Sequence, residues 1–65
     1  MQTKIDTASS TTTYVGKAAS DVATSAAFWK IQRILVSGSD TTITYADGNE
    51  YYDNIWDNRA SLTYL

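Results

Sequence analysis

The sequence predicts a mainly β fold of small α+β character. An antiparallel hairpin or meander of three to four strands is expected, with one short helix near the C-terminus and an extended N-terminal arm. Three observations carry this. FWKIQRILV (28–36) places apolar residues on both faces of a strand, TTITYADG (41–48) is a β-branched and aromatic run, and SGSD between them supplies turn residues. Two strands joined by a short glycine loop make a hairpin, and the rest of the chain is arranged around it.

From the N-terminus, Thr and Ser dominate residues 7–13, a composition that favours extended backbone but offers little to bury. Residues 1–11 therefore read as an extended Ser/Thr-rich arm, loose by itself and held by a neighbouring sheet. Residues 12–65 form the β-rich module. TTYVGKA (12–18) is its first strand, ended near Gly16 and followed by the polar linker AASDVATS.

In the central segment Trp29, Ile31 and Leu35 share one strand face, and Phe28, Ile34 and Val36 the other. A helix competes for this stretch, because Ser20 or Asp21 can cap it and Ala27, Ile31, Ile34 and Leu35 make a helical stripe. The strand is preferred because a turn and a second strand follow at once. After ADGN, Tyr52, Ile55, Trp56 and Arg59 have the spacing of one helical face, with Asp47 or Asn49 as a cap. The acids lie early and Arg59 late, which suits the helix dipole. SLTYL, with Leu62 and Tyr64 on one face, is expected to close the fold as a terminal strand.

With 65 residues, no cysteine and no histidine, the chain has neither a disulfide nor an ordinary zinc site to staple it. Its large apolar residues are few for the ordering they must offset, so a partner surface, most simply copies of the same chain, is expected to complete the burial. Five basic residues against seven acidic, with no basic cluster, argue against nucleic acid and anionic lipid as partners. The N-terminal residues lack the apolar core of a signal peptide, and no stretch has the length of a membrane span.

Asp47, Glu50, Asp53 and Asp57 form an acidic group, but their spacing is not that of a calcium loop. Carboxylates three or four apart on a helix are usually a solvated face rather than a hydrolytic pair. Asp57 and Arg59 read as a surface or interface ion pair. No serine has a histidine to activate it, and no phosphate-loop spacing surrounds Gly16 or Gly48. No catalytic residue, cofactor or metal is expected. Trp29, Trp56, Tyr51 and Tyr52 beside Asn54 and Asn58 have the composition of a sugar platform, but in so small a domain large aromatics are first needed for packing.

YVGKA (14–18), FWKIQRI (28–34) and TITYADGN (42–49), followed by DNIWDNRASLTY to residue 64, together resemble a family of very short proteins encoded by tailed bacteriophages and prophages. The resemblance implies a virion component, made in the host cytoplasm and partnered by copies of itself and other phage structural proteins. It transfers no catalytic residues and leaves out the arm, residues 1–11. The expected function is thus a non-enzymatic structural protein of the head, neck or tail, binding by strand addition and aromatic packing. The alternative is a small carbohydrate-binding module on a particle or cell surface. Trp29, Trp56, Tyr52 and Tyr64 are the expected interface aromatics, and Arg33 and Arg59 their polar companions.

Overall fold

The computed structural model describes residues 1–65 as one four-stranded antiparallel sheet with a short 3-10 helix. The strands are β1 (Gln2–Thr7), β2 (Thr12–Ala18), β3 (Lys30–Ser37) and β4 (Asp40–Tyr45), and the 3-10 helix covers Trp56–Ser61. Their order in the sheet is their order in sequence, β1-β2-β3-β4, which makes a meander.

The N-terminal arm differs from expectation. It is not left for a neighbour's sheet: β1 pairs with β2 of its own chain, with Gln2 opposite Ala18, Lys4 opposite Gly16 and Asp6 opposite Tyr14. The reason lies in the Ser/Thr run, which supplies turn chemistry. The Ser9 hydroxyl accepts the backbone N–H groups of Thr11 (3.2 Å) and Thr12 (3.1 Å), and the Ser9 N–H donates to the Thr12 carbonyl at 3.2 Å. The Gln2 side chain adds a second tie, donating to the carbonyls of Ala19 and Val22 at 3.2 and 2.8 Å.

The central hairpin forms where expected. Ser37 and Asp40 are its last pair, and Gly38 at φ 62 takes the first loop position, where a type II′ turn needs a positive φ. β3 is a strand, not the competing helix, and it carries the two largest fully buried side chains at and beside its start, Trp29 and Ile31.

The predicted helix starting near Asp47 or Asn49 is displaced. Asp47 and Gly48 both have positive φ, which makes a turn there. Asn54 then exchanges both of its backbone hydrogen bonds with Trp29 (2.9 and 3.0 Å), so it is extended, and Ile55 follows it in extended conformation. Only from Trp56 does the chain coil, as 3-10 helix. The expected final strand is reduced to a single antiparallel bridge between Tyr64 and Ala46, supported by Asp47 N–H to Thr63 O at 2.8 Å and Leu65 N–H to Tyr45 O at 3.3 Å.

The core occupies one face of the sheet. Tyr14 and Ala18 from β2, Trp29, Ile31 and Ala46 form its base, Trp56 and Tyr64 lie over it, and Val22 and Leu62 flank it. Gly16 is what admits Trp56. A Cβ at position 16 would collide with Cε3 and Cζ3 of Trp56 and stand 3.1 Å from Trp29 Cε3. The opposite face has no such cover. Val15 and Ile34 are half-buried there, and Ile5, Val36 and Ile43 are exposed.

Candidate interaction surface

All the predicted site residues except Tyr52 meet in one stack on the covered face. The indoles of Trp29 and Trp56 lie 5.7 Å apart between centroids, and Trp29 Nε1 donates to the Ala23 carbonyl at 3.0 Å. The Arg59 guanidinium sits 4.6 Å from the Trp56 ring, donates through Nε to Asp6 Oδ2 at 2.9 Å, and donates through Nη1 to the Trp56 carbonyl at 3.2 Å. The Tyr64 hydroxyl donates to the Arg59 carbonyl at 2.8 Å, and its ring lies 5.7 Å from Tyr14 and 5.0 Å from the Arg33 guanidinium. This is a cation–π and aromatic relay from β1 to the C-terminal segment.

The relay faces inward. Trp29 is fully buried and Trp56 is 5% exposed, so both indoles, expected as anchors for a partner, are enclosed within the chain's own core. Burial, and next to it the neighbouring Tyr14, push the Tyr64 hydroxyl up from 10.0 to about 12, while Arg33 and Arg59 pull it the other way. Arg33 Nε is buried and has no hydrogen-bond partner, so the Arg33 head is held chiefly by the Tyr64 ring. Tyr52 stands apart. It is exposed, with Lys30 Nζ 5.8 Å from its ring.

The acidic residues do not converge, and no three carboxylates come together as a metal site would need. Glu50 lies 3.7 Å from Lys30, and Asp53 accepts from the Asn54 side chain at 3.1 Å. The expected Asp57–Arg59 pair is replaced by Asp6–Arg59, because residues two apart on a helical turn do not face each other whereas β1 lies directly alongside. A sugar platform is likewise short of its indoles, and Asn54 is buried with its backbone engaged by Trp29.

Among the exposed residues are nine large apolar side chains. Ile5 is 68% exposed and Ile43 52%, and with Val36 they mark the uncovered sheet face. At one end of the molecule Met1, Ala19, Val22, Phe28 and Tyr52 line an open apolar hollow of about 510 Å³. No helix is long and apolar enough to cross a membrane. Comparison of the chain with protein-family models, with curated proteins and with solved structures gave no match.

Proposed function

We propose that the chain is a non-enzymatic structural component of a tailed-bacteriophage particle, repeated as an adaptor or decoration of the head, neck or tail. The observation that carries the assembly part of this reading is the uncovered sheet face. A domain with a seven-residue hydrophobic core leaves nine large apolar side chains exposed, of which Ile5, Val36 and Ile43 lie on this face. Such a surface favours packing against other subunits over solitary existence. The phage part rests on the resemblance of YVGKA, FWKIQRI, TITYADGN and DNIWDNRASLTY to short phage proteins.

The relay of Trp29, Trp56, Arg59 and Tyr64 then acts by stiffening the module, so that the outer face is presented as one rigid surface. The carbohydrate-module alternative has less support, since only Tyr51 and Tyr52 of its four aromatics are exposed. Mass spectrometry of purified particles tests the proposal. Multiple copies of the chain per particle are expected, and its absence from particles of a strain that expresses it overturns the reading.

A further inference from the structure

A sheet that does not close has two edges, and the two edges of this one differ. The outer side of β4 is partly capped by the C-terminal segment, through Leu65 N–H to Tyr45 O and the Ala46–Tyr64 bridge. Nothing caps β1. Val36 N–H donates to Thr11 O at 2.9 Å, which sets the alternation along β2: Thr13, Val15 and Lys17 direct their backbone groups at β3, and Tyr14, Gly16 and Ala18 direct theirs at β1. Their partners Asp6, Lys4 and Gln2 therefore face β2. The N–H and C=O groups of Thr3, Ile5 and Thr7 point outward, a row of unmet donors and acceptors ready to template another strand.

We infer that this edge pairs with the same edge of a second copy, antiparallel and about a two-fold axis through Ile5, to give one continuous eight-stranded sheet. This inference rests on the reading of the chain as an assembly subunit and names the contact. The sequence of β1 is the reason for choosing a second copy. Thr3-Lys4-Ile5-Asp6-Thr7 runs as basic, apolar, acidic between threonines, so reversing it against itself sets Lys4 opposite Asp6 on both sides of the axis. Ile5 then meets Ile5 and Thr3 meets Thr7.

That register also satisfies the backbone. It brings the outward-facing Thr3, Ile5 and Thr7 against one another as hydrogen-bonded pairs, for about six inter-chain bonds. Lys4 and Asp6 fall at the closer, non-bonded positions, where side chains interact most directly. Sliding by two residues either way puts Lys4 opposite Lys4 or Asp6 opposite Asp6, so the charges select a single alignment. Both side chains keep capacity for it. Lys4 is exposed and has no ion pair within the chain, and Asp6 gives only Oδ2 to Arg59. On the uncovered face the join makes one apolar stripe of Val15 and Ile5 continued by the partner's copy of each.

Sedimentation of the full chain from about 1 µM to about 1 mM, the range in which so narrow a contact associates, is the direct test. The expected result is a monomer–dimer equilibrium that weakens as salt is raised, with amide exchange at Thr3, Ile5 and Thr7 slowing as the dimer fills. Lys4→Glu turns both charge contacts repulsive and is expected to weaken the dimer about tenfold or more, with circular dichroism unchanged. Ile5→Pro removes an outward N–H that the chain's own ladder does not use, and is expected to abolish dimerisation. Lys17→Glu, on an exposed residue of β2 away from the edge, should leave it intact.

A wild-type chain that stays monomeric to the top of that range overturns the inference, as does a dimer indifferent to both edge substitutions or equally sensitive to Lys17→Glu. Particle composition separates the two readings. A chain present in particles but monomeric in solution loses only the edge pairing, and a dimer absent from particles loses only the virion role.

Discussion

Arg59 and Asp6, 53 residues apart in sequence, meet at 2.9 Å and tie the 3-10 helix to the first strand of the sheet. The same guanidinium lies over the Trp56 ring, so one side chain secures both β1 and the principal plug of the core. The pair is part-exposed, and its direct coupling in a double-mutant cycle of Asp6→Asn and Arg59→Met is expected to be about 0.5–1 kcal/mol. Arg59→Met alone should lose more, about 1–2 kcal/mol, because the cation–π contact goes with it. Urea melts of the four chains measure both quantities, and a coupling of zero would mean the bridge is incidental.

Deleting residues 1–7 should abolish cooperative unfolding. The truncation removes a whole strand, its ladder with β2 and the Asp6 partner of Arg59, and it uncovers the edge of β2 beside Tyr14 and Gly16. A truncated chain that still melts sharply, with an unaltered near-ultraviolet spectrum, would show that β1 is a detachable arm after all.

Trp56→Ala should destabilise by about 3–5 kcal/mol, enough to unfold a domain of this size. Asp57→Asn next to it should change stability by less than about 0.5 kcal/mol, because Asp57 is exposed and makes no ion pair. The two thermal melts compare a packing role with a chemical one. If Trp56→Ala stayed folded while Asp57→Asn removed a measurable activity, the closing segment would be a reactive site.

Gly16→Ala probes the same plug from below. The added methyl runs into the Trp56 ring, and the two indoles already sit against each other, so neither can give way without moving the other. A loss of about 1–3 kcal/mol is expected, accompanied by a change in tryptophan fluorescence. An unchanged melt and spectrum would place Trp56 elsewhere than over β2.

Alkaline pH should weaken the fold through Tyr64. Its hydroxyl ionises at about 12 in the folded chain against 10.0 for an unhindered tyrosine, so the folded state holds the proton more tightly than the unfolded state does. The corresponding stability is complete below pH 10 and is lost as the pH rises through 12. Tyr64→Phe sacrifices the 2.8 Å bond to the Arg59 carbonyl, at about 0.5–1.5 kcal/mol, but also removes this titration. Denaturant midpoints between pH 9 and 12 should therefore fall more steeply for the wild type than for Tyr64→Phe, and parallel curves would refute the assignment.

The strands β2, β3 and β4 were legible in the sequence because their alternation and the SGSD turn are local signals. β1 was not, since QTKIDT holds one apolar residue and that residue, Ile5, points to solvent, so no hydrophobic pattern announces the strand. The C-terminal helix is present but begins later than its sequence pattern suggests, at Trp56. The spacing of Tyr52, Ile55, Trp56 and Arg59 is genuinely helical, but Trp29, distant in sequence, claims the backbone of Asn54 and holds the segment extended. Residue type singles out Trp29, Arg33, Trp56, Arg59 and Tyr64 as contact residues, but it does not say that they meet one another. Nor does it give their inward orientation, because that depends on room left by Gly16, Ala18 and Ala46, small residues whose positions under the rings emerge only with the strand register.

The contact between Gly16 and Trp56 also constrains how this chain can change over generations. A side chain at position 16 and an indole at position 56 claim the same volume, so position 16 cannot drift while the indole is in place. Combining Gly16→Ala with Trp56→Leu should therefore lose less than the sum of the two separate losses, a positive epistasis set by geometry. In a lineage descending from this sequence, the glycine is free to vary only in those members that have already exchanged the tryptophan for something smaller, and the two positions form a single heritable unit split across the length of the chain.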